Sequence, residues 1–290
     1  MVNPTRREIL AAIPAAALAA PRKPVVAGHP WVYAATQPNN DLTPVLPQIF
    51  ADMQWAGLEV IELMHTAVRP ADAVERIGEL SRRHRLPVIG MSFSGEMWNR
   101  ERHGAILEEA EVALGRLGKL GGRILGISVG TPGNRRKTAA EFDAQAELLR
   151  KLTVICRNNG VAPNLHNHTY EVADGEYDLN GTLERLPDFQ LGPDLNWLLR
   201  ARVDPVDFIR RRGRQMVYAH LRDEKADGTW PEAMGEGAMD YAAIARALRE
   251  AGFAGDVGIE LAHQRGFQPT RPLRESFQIS RAYVRRTMGW

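Results

Sequence analysis

The sequence predicts a single-domain α/β fold, a (β/α)8 TIM barrel. Three observations lead there. Apolar runs of strand length alternate with amphipathic helical patterns, eight times over. The runs are nearly continuous in apolar residues, as expected for parallel strands covered by helices. Polar residues gather at the carboxyl ends of the last four runs, where this architecture places its chemistry.

The elements follow in order. Residues 1–20 stand apart: Arg6 and Arg7 follow a threonine, the apolar stretch ILAAIPAAALAA follows at 9–20, and ALA at 17–19 fits a small-x-small cleavage site. This resembles a twin-arginine secretion signal. It predicts a periplasmic or secreted protein with no membrane attachment after processing, because the run is short and holds Pro14. The barrel is expected over residues 25–290. Its strand-like runs are 30–35, 58–64, 86–93, 123–130, 161–168, 189–195, 215–221 and 256–262. Helical patterns fill the intervals, many closed by glycine: the pattern ahead of the second run stops at Gly57, and DYAAIARALREAG opens on the capping residue Asp240 and stops at Gly252. A doubly wound open sheet is the structural competitor, but no Gly-x-Gly-x-x-Gly follows the first run.

Composition narrows the function classes. A length of 290 residues suits one such barrel, and an apolar content of 44% supplies its core. The net charge of +2 gives no field for nucleic acid. The basic clusters at 134–137 and 210–214 read as solvated helix ends or loops. The single cysteine, Cys156, lies in an apolar helical pattern and reads as a buried structural thiol. The sequence leaves room for a homo-oligomer without specifying one.

The fifth run ends in His166 and His168, the sixth carries Asp194, the seventh His220 and the eighth Glu260. Imidazoles and carboxylates at the ends of apolar strands are costly unless paired or bound to a metal. Singly each has a bland explanation: a hydrogen-bonded core histidine, a loop cap, an ion pair of Glu260 with Arg265. Four on consecutive strands form the geometry of a metal site, with two nitrogens and two carboxylates that suit Mn²⁺, Co²⁺, Zn²⁺ or Fe²⁺.

The motifs LEVIEL (58–63), LHNHTYE (165–171), GPDLNWLLRARVDP (192–205), YAHLRDE (218–224), GEGAMDYAAI (235–244) and GIEL (258–261) extend the pattern. In order and spacing the chain resembles the xylose isomerase-like superfamily of sugar (phosphate) isomerases and epimerases, metal-dependent TIM barrels. The resemblance implies one divalent metal held by His166, Asp194, His220 and Glu260. It departs at His166, where many family epimerases carry the second of two facing glutamates. That departure leaves Glu260 and His168 as the candidate bases. The implied activity is isomerisation or epimerisation of a sugar or keto-sugar, by proton abstraction next to a carbonyl through a metal-stabilised enediolate. Glu62, Glu171, Arg222 and Asp223 are expected to hold hydroxyls, Trp98 and Trp197 to stack on a sugar face, Glu236 to sit in a lid or a turn, and His65 and His263 to line the rim. His84 and His103, in charged helical stretches, are expected to be exposed.

Three alternatives stand beside this reading. A lyase cleaving an oxidised (keto) glycoside needs only one base. A non-catalytic sugar-binding relative would not need a base at the metal. A nuclease resembling endonuclease IV would need more metal ligands and a basic face.

Overall fold

The computed structural model describes residues 23–290; the expected leader lies outside the described residues. The elements run β1 (Val26–Gly28), α1 (Trp31–Ala34), α2 (Leu46–Trp55), β2 (Val60–Met64), α3 (Ala73–His84), β3 (Val88–Ser94), α4 (His103–Lys119), β4 (Ile124–Ser128), α5 (Ala139–Asn158) and β5 (Ala162–Leu165). They continue with α6 (Thr169–Leu183), α7 (Leu195–Arg200), α8 (Pro205–Arg212), β6 (Tyr218–Leu221), α9 (Tyr241–Glu250), β7 (Asp256–Ile259) and α10 (Leu273–Met288). The strands are parallel, in the order β5-β4-β3-β2-β1-β7-β6. They form a nearly closed TIM barrel.

Two expected strands differ. The run at 30–35 is largely helical (α1), and the first strand lies just before it. Pro30 explains the exchange. It fits the start of a helix, and its carbonyl accepts from the amides of Tyr33 (3.0 Å) and Ala34 (3.1 Å). Apolar runs this short do not distinguish helix from strand by period. The run at 189–195 forms no ladder, only single bridges of Leu191 to Leu165 and Met216, and of Asp194 to His220. Pro193 removes a ladder donor. The segment still fills the gap between β5 and β6: Leu165 N donates to Gln190 O (2.9 Å), Gly192 N to Leu165 O (2.8 Å) and His220 N to Pro193 O (2.9 Å).

The helices obey their sequence signals. Thr138 and Glu141 form a capping box at the start of α5. Asp204 and Asp240 cap α8 and α9 by accepting from Asp207 N and Ala243 N. Most of the core lies between strands and helices. Inside the barrel, Ala27, Ile89, Ile124 and Tyr218 form a small apolar cluster. Polar groups lie beside it, and glycines make room for them. A Cβ on Gly192 would stand 1.9 Å from Asn164 Oδ1, and one on Gly258 would stand 2.6 Å from the Tyr218 hydroxyl and 3.1 Å from Glu62 Oε2.

Candidate metal centre

Tyr218, His220 and Arg222 alternate along β6 and its exit, so all three side chains face the interior. Tyr218 donates its hydroxyl proton to Glu62 Oε2 (2.9 Å), and His220 Nε2 meets the same oxygen at 2.6 Å. Glu62, on β2, is 1% exposed. The opposite nitrogen, His220 Nδ1, lies 3.1 Å from His166 Nδ1 and 3.1 Å from Glu260 Oε2. Asp194 offers a carboxylate oxygen within 4.8 Å of both imidazoles. Its Oδ1 also accepts from Asn196 N and Trp197 N, so the residue caps α7 while it faces the cluster. Arg222 closes the arrangement, with Nη2 3.1 Å from Asp194 Oδ2 and 2.5 Å from Glu260 Oε1.

Electrostatics polarises the cluster. Burial opposes charge on His220, but Glu62 and Glu260 outweigh it and push its pKa up to about 9. Burial works against ionised Glu260 too, and Arg222, His29 and His220 overcome it, holding the carboxyl well below its usual range. Burial raises Asp194 despite Arg222. Burial lowers His166, and the neighbouring His220 and His168 lower it further.

The donor set fits a divalent ion. Glu62 accepts from Nε2 of His220 and keeps a proton on that nitrogen, and the second proton, on Nδ1, is the one a cation would displace to bind the nitrogen that faces His166, Asp194 and Glu260. Two nitrogens each about 2.0–2.1 Å from a tetrahedral ion stand about 3.3 Å apart, close to the 3.1 Å between the two imidazoles. His166, Asp194, His220 and Glu260 would hold the ion. Glu62 would orient one ligand from behind, and Arg222 would offset the charge of the two carboxylates.

The xylose isomerase-like TIM barrel family model matches residues 50–283. The chain belongs to this family. No curated relative matches it. Among solved structures, the barrel is similar to a sugar phosphate isomerase/epimerase from Parabacteroides distasonis (TM-score 0.71, 18% identity, 91% of this chain and 94% of that one). It is similar to an L-ribulose 3-epimerase (TM-score 0.71, 18% identity, 92% and 95%). It is also similar to a 3-keto-D-glucoside 4-epimerase from E. coli (TM-score 0.67, 16% identity, 91% and 100%).

The other residues that the sequence singles out in this xylose isomerase-like barrel take varied places. His168 lies at the mouth, its side chain 39% exposed, its ring 5.2 Å from that of His166 and 5.8 Å from that of Trp197. Glu171 is buried beneath it and accepts from Ser128 Oγ (2.8 Å), Val129 N (3.1 Å) and His168 N (2.5 Å). Burial lowers the His168 pKa, but the bond to Glu171 and its charge prevail and raise it. Trp197 meets Trp230 edge-on at 5.6 Å, and the Arg222 guanidinium lies 5.2 Å from its ring. Trp98 carries Arg135 over its ring at 5.5 Å. Glu62 lies behind His220 rather than on the open rim. Asp223 accepts from the amides of Gly235, Gly237 and Met239, which shapes the GEG loop. Glu236 pairs with Arg271 through both oxygens. His65 Nε2 lies 3.3 Å from Glu109 on α4. His263 packs on Phe267 at 4.6 Å.

His103 is a correction. It is buried, with Nε2 2.9 Å from Met97 O, because the first turn of α4 packs inward. The sequence reading also missed His29, whose Nδ1 lies 3.8 Å from Glu260 Oε2 and whose Nε2 lies 3.3 Å from Ser92 Oγ. Placing the first strand at 30–35 hid it; a histidine ending the run VVAG is the signal that was there.

Proposed function

We propose that this barrel is a divalent-metal-dependent isomerase or epimerase of a sugar or keto-sugar. The observation that carries the reading is the convergence of the His166 and His220 imidazoles and the Asp194 carboxylate at the carboxyl end of the barrel, with Glu260 Oε2 3.1 Å from His220 Nδ1. A bound divalent cation there would supply Lewis-acid polarisation of a carbonyl and its neighbouring hydroxyl oxygen. The likeness to structures of sugar epimerases supports the substrate class.

His168 is the better placed of the two candidate bases. Ser128 donates its proton to Glu171, so its oxygen accepts from His168 Nδ1–H at 2.9 Å. That leaves the lone pair on Nε2, which meets no protein partner among the described residues. Nε2 would take the proton from the carbon next to the carbonyl and return it from the same side to the neighbouring carbon, which is isomerisation; epimerisation would need a second proton donor on the opposite face. Glu260, gripped by Arg222 and His220, is held as a ligand anion. Trp197 and Trp230 would form a wall against the sugar ring. The twin-arginine leader adds export to this proposal and favours an unphosphorylated substrate.

The lyase reading is kept for one observation. His168 is the one uncommitted base at the mouth among the described residues, and elimination from a keto-glycoside needs only one. The test is metal analysis of the purified protein, followed by NMR in D2O with a panel of free and oxidised sugars. Stoichiometric metal and deuterium entering next to a carbonyl are expected, and exchange is lost in His168→Ala with metal retained. Release of the glycosidic group would select the lyase. Protein that neither contains nor takes up a divalent ion would end the proposal.

A further inference from the structure

His29 spans the floor of the mouth. It follows β1, and its ring meets that of His220 edge-on at 5.1 Å. Its Nε2 lies 3.3 Å from Ser92 Oγ on β3. The staves run in sequence from β1 to β5, then 190–194, β6 and β7, so three staves separate β3 from β6 in either direction. Ser92 therefore stands across the barrel from His220, with His29 between them.

The backbone decides where the protons of this pair point. Trp31 N donates to His29 Nδ1 at 3.3 Å, so the imidazole lone pair faces that amide and the ring proton sits on Nε2. Ser92 Oγ is then the acceptor of the Nε2 proton. A hydroxyl that accepts still has its own proton to donate, and the Ser92 proton meets no protein acceptor among the described residues. Its cross-strand partners are Met64 on β2 and Gly126 on β4, whose side chains hold no oxygen. The residue is half-buried rather than sealed, so this free donor opens into the mouth.

We propose that Ser92, oriented by His29, anchors a substrate oxygen remote from the metal. That oxygen is an uncharged hydroxyl or ring oxygen, which accepts from Ser92 Oγ while the carbonyl end of the same sugar lies at the proposed metal centre across the barrel. Held at both ends, the sugar presents one face to His168, which follows β5 on the arc between β3 and β6. His29 touches no substrate in this arrangement. It is a positioning residue: it occupies the Ser92 lone pair and so turns the hydroxyl proton toward the ligand. The idea rests on the proposed function only for the place of the carbonyl end.

The experiment measures binding by calorimetry to the Zn²⁺-loaded full chain, for D-fructose and for its derivatives deoxygenated at carbon 4, 5 or 6. One derivative is expected to bind the native chain about tenfold more weakly than D-fructose does. Ser92→Ala should bind D-fructose with the same loss, and that derivative no more weakly than D-fructose, because the two deletions remove one bond. A merely structural role of Ser92 would weaken all four sugars alike and leave the deoxygenation penalty in place. His29→Leu should behave as Ser92→Ala does, and His29→Gln, which offers an amide N–H in place of Nε2–H, should restore most of the affinity. Zn²⁺ affinity, read by chelator competition, should be the same in Ser92→Ala as in the native chain; Ser92→Gly serves if the alanine variant fails to fold. Absence of D-fructose binding, absence of any deoxygenation penalty, a penalty that survives in the folded Ser92 variant, or a parallel loss of Zn²⁺ affinity there would each overturn the anchor. A chain that shows the expected pattern but exchanges no deuterium into any sugar would keep the anchor and remove the proposed reaction.

Discussion

Glu62→Gln separates the metal reading from mere burial of polar groups. In the native chain one carboxylate oxygen, Oε2, accepts from both His220 (2.6 Å) and Tyr218 (2.9 Å), while Oε1 has no hydrogen-bond partner among the described residues. Glutamine keeps the shape and one acceptor oxygen. It removes the charge that keeps the proton on Nε2. A hydrogen bond to a charged group contributes about 1.5–3 kcal/mol. Replacing the outer partner of a metal-binding histidine costs about 10- to 100-fold in affinity, or about 1.4–2.7 kcal/mol. The two ranges agree, so a loss of about 2 kcal/mol in metal affinity is expected. Competition with a chromogenic chelator for Zn²⁺ or Co²⁺ at fixed salt measures it, with near-ultraviolet dichroism as the check on packing. A folded variant that binds the ion as tightly as the native chain would show that Glu62 does not set the tautomer of His220.

Three further outcomes are expected. Gly258→Ala drives a methyl to 2.6 Å from the Tyr218 hydroxyl and 2.9 Å from His220 Cδ2; urea unfolding should show a loss of about 1–3 kcal/mol, and metal affinity should fall with it. The Cys156 thiol, fully buried and pushed up to about 12 by burial, should resist a disulfide reagent in the native state and react once urea unfolds the chain. Glu141, bonded by Arg135 and Thr138, has its pKa lowered to about 2. A depressed acid stabilises the fold above its unfolded pKa of about 4.3 and loses that contribution as pH falls toward the folded value. Because the pair is largely exposed, Glu141→Gln should cost only about 1 kcal/mol at neutral pH, and the gap to the native chain should narrow in acid unfolding curves below about pH 4.

The cluster was legible because parallel strands put their carboxyl ends on one side, so His166, Asp194, His220 and Glu260 had one place to meet. The parity of YAHLR was legible too: Tyr218, His220 and Arg222 alternate. What each side chain touches was not. Arg222 reads as a hydroxyl binder, yet its guanidinium bridges two carboxylates. Glu171 reads as a substrate contact, yet it supports Ser128 and the entry to α6. Trp230 lies in a loop without period, and nothing local marks it as the partner of Trp197. His29 was lost with the first strand, where Pro30 turned an apolar run into a helix. In each case the deciding contact comes from a distant element, which a local pattern does not encode.

The stretch 190–194 is the one stave of the cask without its own hoop. It is fastened by a few backbone bonds on each side and carries Asp194 at its tip. Amide hydrogens along it should be the first of the eight staves to exchange. An ion that ties Asp194 to His166 and His220 would rivet that joint from above, so filling the centre and sealing the wall would be one thermodynamic event.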